Sequence, residues 1–158
     1  MAAPSTIRED LWAYLNGKDA FADAVGRESD GGAVHLYPLV APTDDGGNVE
    51  LERYAVYTRI SGTHDHHMLA AAGQARGISQ FDLYAPTPEE TTAMGEGLRA
   101  SIDGMVNKNI GSGSTVSFAR LVSEIDDWIG PKSASEDGTY LVRMDVEVFY
   151  TESVPTFA

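Results

Sequence analysis

Residues 142–150 alternate without a break: Val142, Met144, Val146, Val148 and Tyr150 stand on one side, Arg143, Asp145, Glu147 and Phe149 on the other. A period of two, with β-branched and aromatic members, marks a strand with one apolar face. Such a strand does not stand alone. Its backbone needs partner strands, and its apolar face needs cover.

The partners are legible upstream. In 54–60, Tyr54, Val56, Thr58 and Ile60 alternate with Ala55, Tyr57 and Arg59. In 78–85, Ile78, Gln80, Asp82 and Tyr84 oppose Ser79, Phe81, Leu83 and Ala85. Residues 34–38 form a short strand closed by Pro38 and Pro42. In 116–125 the phase slips from Val116 and Phe118 to Leu121 and Ile125, as a bulge would make it do.

The cover comes from helices. Thr6-Ile7-Arg8-Glu9 is a capping box, followed by Leu11, Tyr14 and Leu15 at helical spacing and a stop at Asn16-Gly17. A second short helix over 19–25 turns Phe21 and Val25 inward and ends at Gly26. Thr87-Pro88-Glu89-Glu90 opens the longest helix, with an N-cap, a proline in the first turn and two carboxylates at the positive end. Its inward stripe of Thr91, Met94, Leu98, Ile102 and Met105 predicts a helix over 88–107. Gly95 and Gly97 weaken it by about 1 kcal/mol each unless they permit close packing on the sheet.

The remaining segments read as loops. These are 43–48, the histidine-bearing 61–77, the Gly-Ser link 111–114, a polar hairpin loop over 126–138, and a loose tail over 151–158. The expected order is αα-β-β-β-α-β-β. The fold class is α+β, a mainly antiparallel sheet with two helices, 7–16 and 88–107, packed on one face. The 158 residues form a single domain with its core at 7–150.

Composition narrows the function. Eleven basic against 24 acidic residues leave a net charge of −13, which repels phosphate backbones and argues against duplex binding. There is no cysteine, so thiolate catalysis, disulfides and cysteine-based zinc sites are excluded. Apolar runs are far shorter than the roughly 18–20 residues of a membrane span, and residues 1–10 lack a secretory pattern, so synthesis in the cytoplasm and no membrane partner are expected.

Candidate chemistry is thin. His64, His66 and His67 with Asp65 could ligate a metal, but adjacent ligands in one loop lack the spacing of known zinc sites. The pairs Asp44/Asp45, Glu89/Glu90 and Asp126/Asp127 lie in loops or cap a helix. Gly111-Ser112-Gly113-Ser114 has no phosphate-cradle lysine, and no Gly-x-Ser-x-Gly elbow occurs. No residue is assigned to catalysis, to a cofactor or to a metal. Trp128 and Ile129 are apolar residues in a polar hairpin loop, a pattern that asks for a covering partner. The candidate assembly-interface residues are His64, His66, His67, Met68, Leu69, Trp128 and Ile129.

An amphipathic N-terminal helix is followed by Leu36-Tyr37-Pro38 with Ala41-Pro42, and then by Tyr54-Ala55-Val56-Tyr57. Ile60-Ser61-Gly62, a histidine loop, Ile78-Ser79-Gln80-Phe81-Asp82-Leu83-Tyr84-Ala85 and a capped helix come next, and the aromatic strand 145–150 closes the order. This order resembles the tail-terminator, or tail-completion, proteins of long-tailed bacteriophages and phage-like gene transfer agents, over residues 7–150. The segment 107–138 is longer than the compact family pattern. The resemblance implies a structural, non-enzymatic virion protein. It implies a ring of copies of itself, typically six, seated at the head–tail interface. Its partners there are the tail-tube protein and a head–tail connector or stopper protein. DNA would pass through the channel without specific binding. Two other readings remain open: a head-completion or connector protein, and a small metal-dependent enzyme using the histidine loop.

Overall fold

A computed structural model describes residues 6–29, 31–67, 70–111, 114–134 and 136–151, and gives the backbone alone for 66, 67 and 70–72. Three helices, α1 (Ile7–Asn16), α2 (Asp19–Val25) and α3 (Pro88–Ile102), accompany six strands. These are β1 (Leu36–Pro38), β2 (Tyr54–His67), β3 (Ala70–Ala85), β4 (Val106–Asn109), β5 (Thr115–Ile129) and β6 (Thr139–Thr151). The strand order is β1-β2-β3-β6-β5-β4. Only β1 on β2 is parallel. The fold is the expected α+β class, with the strongly alternating β6 at its centre beside β3.

Register gives the sheet two unlike faces. Phe81 lies opposite Met144, Leu83 opposite Val142, Tyr57 opposite Phe81 and Leu121 opposite Val146, so these side chains share one face. All but Leu121 are fully buried there, and Leu121 packs against their edge. α1 covers one end of this face, where Ile7 and Leu11 meet Tyr57, Val148 and Tyr150. α3 covers the other end, with the Cα of Gly95 over Met144 and Val142. The helix face and all three helices share one apolar core.

The caps form as the sequence predicts. Thr6 Oγ1 accepts from the Glu9 amide at 3.4 Å while Glu9 Oε2 accepts from the Thr6 amide at 2.7 Å. Thr87 Oγ1 accepts from the Glu90 amide, with Pro88 in the first turn. The two helix glycines divide their work. Gly95 packs on the sheet, but Gly97 faces α2, where an added Cβ would lie 3.0 Å from the Phe21 Cα and closer still to the Ala20 carbonyl oxygen. Gly97 therefore allows two helix backbones to touch.

Three expected boundaries are wrong. The helix predicted over 88–107 stops at Ile102, because Asp103 is extended and Gly104 takes φ +73°. Asp103 Oδ1 accepts from the Leu121 amide at 2.8 Å beside a register shift in β5, and the chain turns to lay β4 along the sheet edge. The expected loop 61–77 is instead a β2–β3 hairpin paired out to His67 and Ala70, with register shifts after Arg59 and His64. The expected loop 126–138 is strand as far as Ile129. The phase slip read in 116–125 is real, with shifts after Val116 and Leu121. The tail 152–158 lies outside the described residues.

Candidate assembly surfaces

The candidate interface residues separate along the strands. His64 pairs with Ala75, and Ala75 with Tyr150, so His64 stands at one end of the sheet on the β2–β3 hairpin. The backbones of His66 and His67 continue that hairpin. Their side chains, and all of Met68 and Leu69, lie outside the described residues. Trp128 pairs with Tyr140, and Tyr140 with Ala85, which puts it at the opposite end. Ala75 and Ala85 are ten steps apart along β3, which separates the two levels by about 33 Å at 3.3 Å per residue.

Trp128 and Ile129 are strand residues, not the tip of a loop. Trp128 points to the helix face, where it meets Pro88, Thr91 and Thr92 at the start of α3, and its indole lies against Gly138. Ile129 points to the other face. They therefore belong to two different surfaces.

Of the candidates with described side chains, the face of the sheet away from the helices carries Ile129 alone. Glu147, at its middle, is 1% exposed although no helix covers it, because Arg76 and Arg120 close over it with side chains 50% and 54% exposed. Arg76 bonds one carboxylate oxygen, and Arg120 Nε donates to the other at 2.6 Å. Burial pushes the Glu147 carboxyl upward, but hydrogen bonds and charge from Arg120 and Arg76 outweigh it and hold its pKa below the usual range. Arg76 also sits over the Phe149 ring, which packs on Phe118.

Further along, Arg143 Nε donates to Asp82 at 2.9 Å, and that hydrogen bond raises the guanidinium pKa. Ser123 Oγ donates to Asp145 at 2.8 Å. At the last level Tyr54 stacks on Tyr84 with centroids 4.7 Å apart. Burial first, and the neighbouring Tyr84 second, push the Tyr54 phenol up to about 12. Arg143, Asp145 and Glu147 were in plain sight as the polar partners in the β6 alternation. Arg76 was hidden because its segment read as a loop.

The carboxylate pairs serve local structure. Asp44 Oδ1 accepts from the Gly46 and Asn48 amides, which holds its pKa low and closes the turn. Asp126 and Asp127 point to opposite faces of β5, as neighbours in a strand must. Among the described residues no three His, Asp or Glu side chains gather as a metal site would require. The space enclosed beneath α1 is about 20 Å³, room for a water rather than a substrate. Among the described residues no helix is long and apolar enough to cross a membrane.

No protein-family model and no curated protein matches the sequence. The fold itself has a solved counterpart. A chain in the virion of a native gene transfer agent particle superposes with a TM-score of 0.59 at 12% identity, over 94% of this chain and 95% of that one.

Proposed function

We propose that this chain is a structural protein of a phage-like particle, and that it forms the ring that ends the tail tube and joins it to the head. The observation that carries the reading is the likeness to a gene transfer agent virion chain over nearly the full length of both. The order of helices, strands and capped helix, which resembles tail-terminator proteins, supports the finer role. So does the surface: two chemically different sheet ends and an open face rich in paired charges suit a protein that works by contact.

Tube subunits stack head to tail, so each added ring presents the same growing end and the geometry alone never stops growth. A terminator binds that end with one surface and offers the head another. It requires no turnover and no cofactor. The Trp128 end and the histidine hairpin, about 33 Å apart along β3, are the two surfaces this role needs. A surface of charge −13 lets DNA pass without sticking.

Deleting the gene tests the role. The expected result in electron micrographs is filled heads without tails, together with free tails of irregular or excessive length. Uniform tails joined to heads overturn it.

A further inference from the structure

Six-stranded sheets with two free edges can form rings by continuing the sheet from copy to copy, but β1 at one edge here is closed to that. In β1 the ladder bonds to β2 run from the Ala55 amide to His35 O and from the Leu39 amide to Tyr57 O, so the backbones of Leu36 and Pro38 face outward. Leu36 O already accepts from Trp12 Nε1 at 3.0 Å, and the Leu36 amide donates to Val34 O. Pro38 has no amide hydrogen, and its carbonyl accepts from Val40. The outward groups of Leu36 and Pro38 are thus engaged within the chain, which leaves side-chain surfaces as the contact at this strand.

The exposed apolar side chains show which. Val106, Phe118, Ile125 and Ile129 fall on the open face by strand register, and Ile60 and Val122 stand at register shifts in β2 and β5. The remainder, Trp128 apart, are Leu39 and Val40, 58% and 71% exposed, where the chain leaves β1. Leu39 takes φ +66°, a conformation that favours glycine, so a bulky apolar side chain is held out against its backbone preference. Beside it an apolar groove of about 720 Å³ runs between α1 and β1, lined by Trp12, Leu36, Tyr37 and Pro38.

The two patches present different charged groups to the solvent. Among the described residues the titratable groups lining the groove are, besides its tyrosines, the carboxylates Glu9, Asp10 and Glu28. On the open face Glu147 lies beneath Arg76 and Arg120 and Asp82 beside Arg143, so these three half-exposed guanidiniums meet the solvent, with Asp127 the exposed carboxylate at the far end. In a chain of charge −13, these guanidiniums are a cluster of cations that a second copy can meet.

We infer that the open sheet face of one copy docks on the Leu39–Val40 knob and acidic groove of the next, a head-to-tail contact between two unlike surfaces of the same chain. It deepens the ring reading above and rests on it. Contacts of this kind close by rotation into a ring. Each contact covers apolar side chains that water otherwise reaches, and it sets guanidiniums against carboxylates, giving orientation as well as attraction.

Because the chain has no cysteine, two substitutions suffice for a test. Val40→Cys and Ile125→Cys place thiols on exposed side chains, outside the core. Particles carrying the doubly substituted chain are treated with a short bifunctional maleimide and run on a denaturing gel. The expected result is a ladder of covalent multimers from dimer to the full ring, with monomer alone from either single variant. Dimers from Ile125→Cys alone mean that like faces meet, and overturn the contact. Monomer only from the double variant, with the chain present in the particles, overturns the contact and leaves the virion role standing. A chain absent from the particles overturns both.

Discussion

Replacing Gly97 with alanine adds one methyl group at the point where α3 touches α2. In an open helix that change stabilises by about 1 kcal/mol, because glycine pays the larger backbone entropy. Here the new Cβ meets the Ala20 carbonyl group and, at 3.0 Å, the Phe21 Cα. Those atoms are backbone and cannot rotate aside, so the helices must separate. Overpacking of this kind costs about 1–3 kcal/mol, and contact with backbone puts it in the upper half of that range. The net expectation is a loss of about 1–2 kcal/mol, a fall in Tm of about 2–8 °C for a domain of this size. Gly95→Ala is the control on the same helix. Its Cβ would lie 3.4 Å from the flexible Met144 sulfur, an ordinary contact, so the helix gain survives and Tm rises by about 1–4 °C. Urea and thermal unfolding of the two variants settle it. Equal stabilisation by both would refute the close approach of α2 and α3.

Glu147→Gln leaves Arg76 and Arg120 facing each other without their shared carboxylate, and is expected to cost about 1–3 kcal/mol in urea unfolding, discounted for the exposure of the guanidiniums. Because the folded pKa of Glu147 is depressed, its contribution is fully present above the ordinary glutamate range and is lost as pH falls through the folded value; an unfolding series across the acid range should lose that component in the Gln variant. Asp103→Ala removes the acceptor of the Leu121 amide and should cost about 1 kcal/mol, with faster hydrogen exchange at Leu121 as its local sign. Leu39→Gly relieves a positive φ and should stabilise the isolated chain by about 1 kcal/mol, while reducing its incorporation into particles, a split that a purely structural residue would not produce.

The legible parts of the fold were those where one side of an element is buried and the other is wet. Capping residues announced α1 and α3, and the strict alternation of β6 reported a strand with one covered face. A period of two records one-sided burial, however, and not pairing. All four residues of β4 are exposed, as are the last residues of β5, so neither face leaves a pattern although both segments pair with a neighbouring strand. The β2–β3 hairpin failed for a related reason. Gly62, Gly73, Gly77 and the alanines 70–72 have almost no side chain with which to alternate. The Asp103-Gly104 pair was the turn signal that ends α3, overridden in the sequence reading by Met105, which does reach the core, but from the turn after the helix.

The same logic explains the candidate surfaces. Trp128 and Ile129 drew notice as apolar residues among polar ones, and adjacency suggested a single patch. Strand geometry sends them to opposite faces. The Arg76–Glu147–Arg120 group went unread because its members are 71 and 27 residues apart in sequence and meet only through β3, β6 and β5.

The most direct test of the central claim is an electron cryomicroscopy reconstruction of the particle at the head–tail junction. The account predicts a closed ring of this α+β fold, six copies, between the last ring of the tube and the head connector. One copy, no copy, or this fold found only elsewhere in the particle would contradict it.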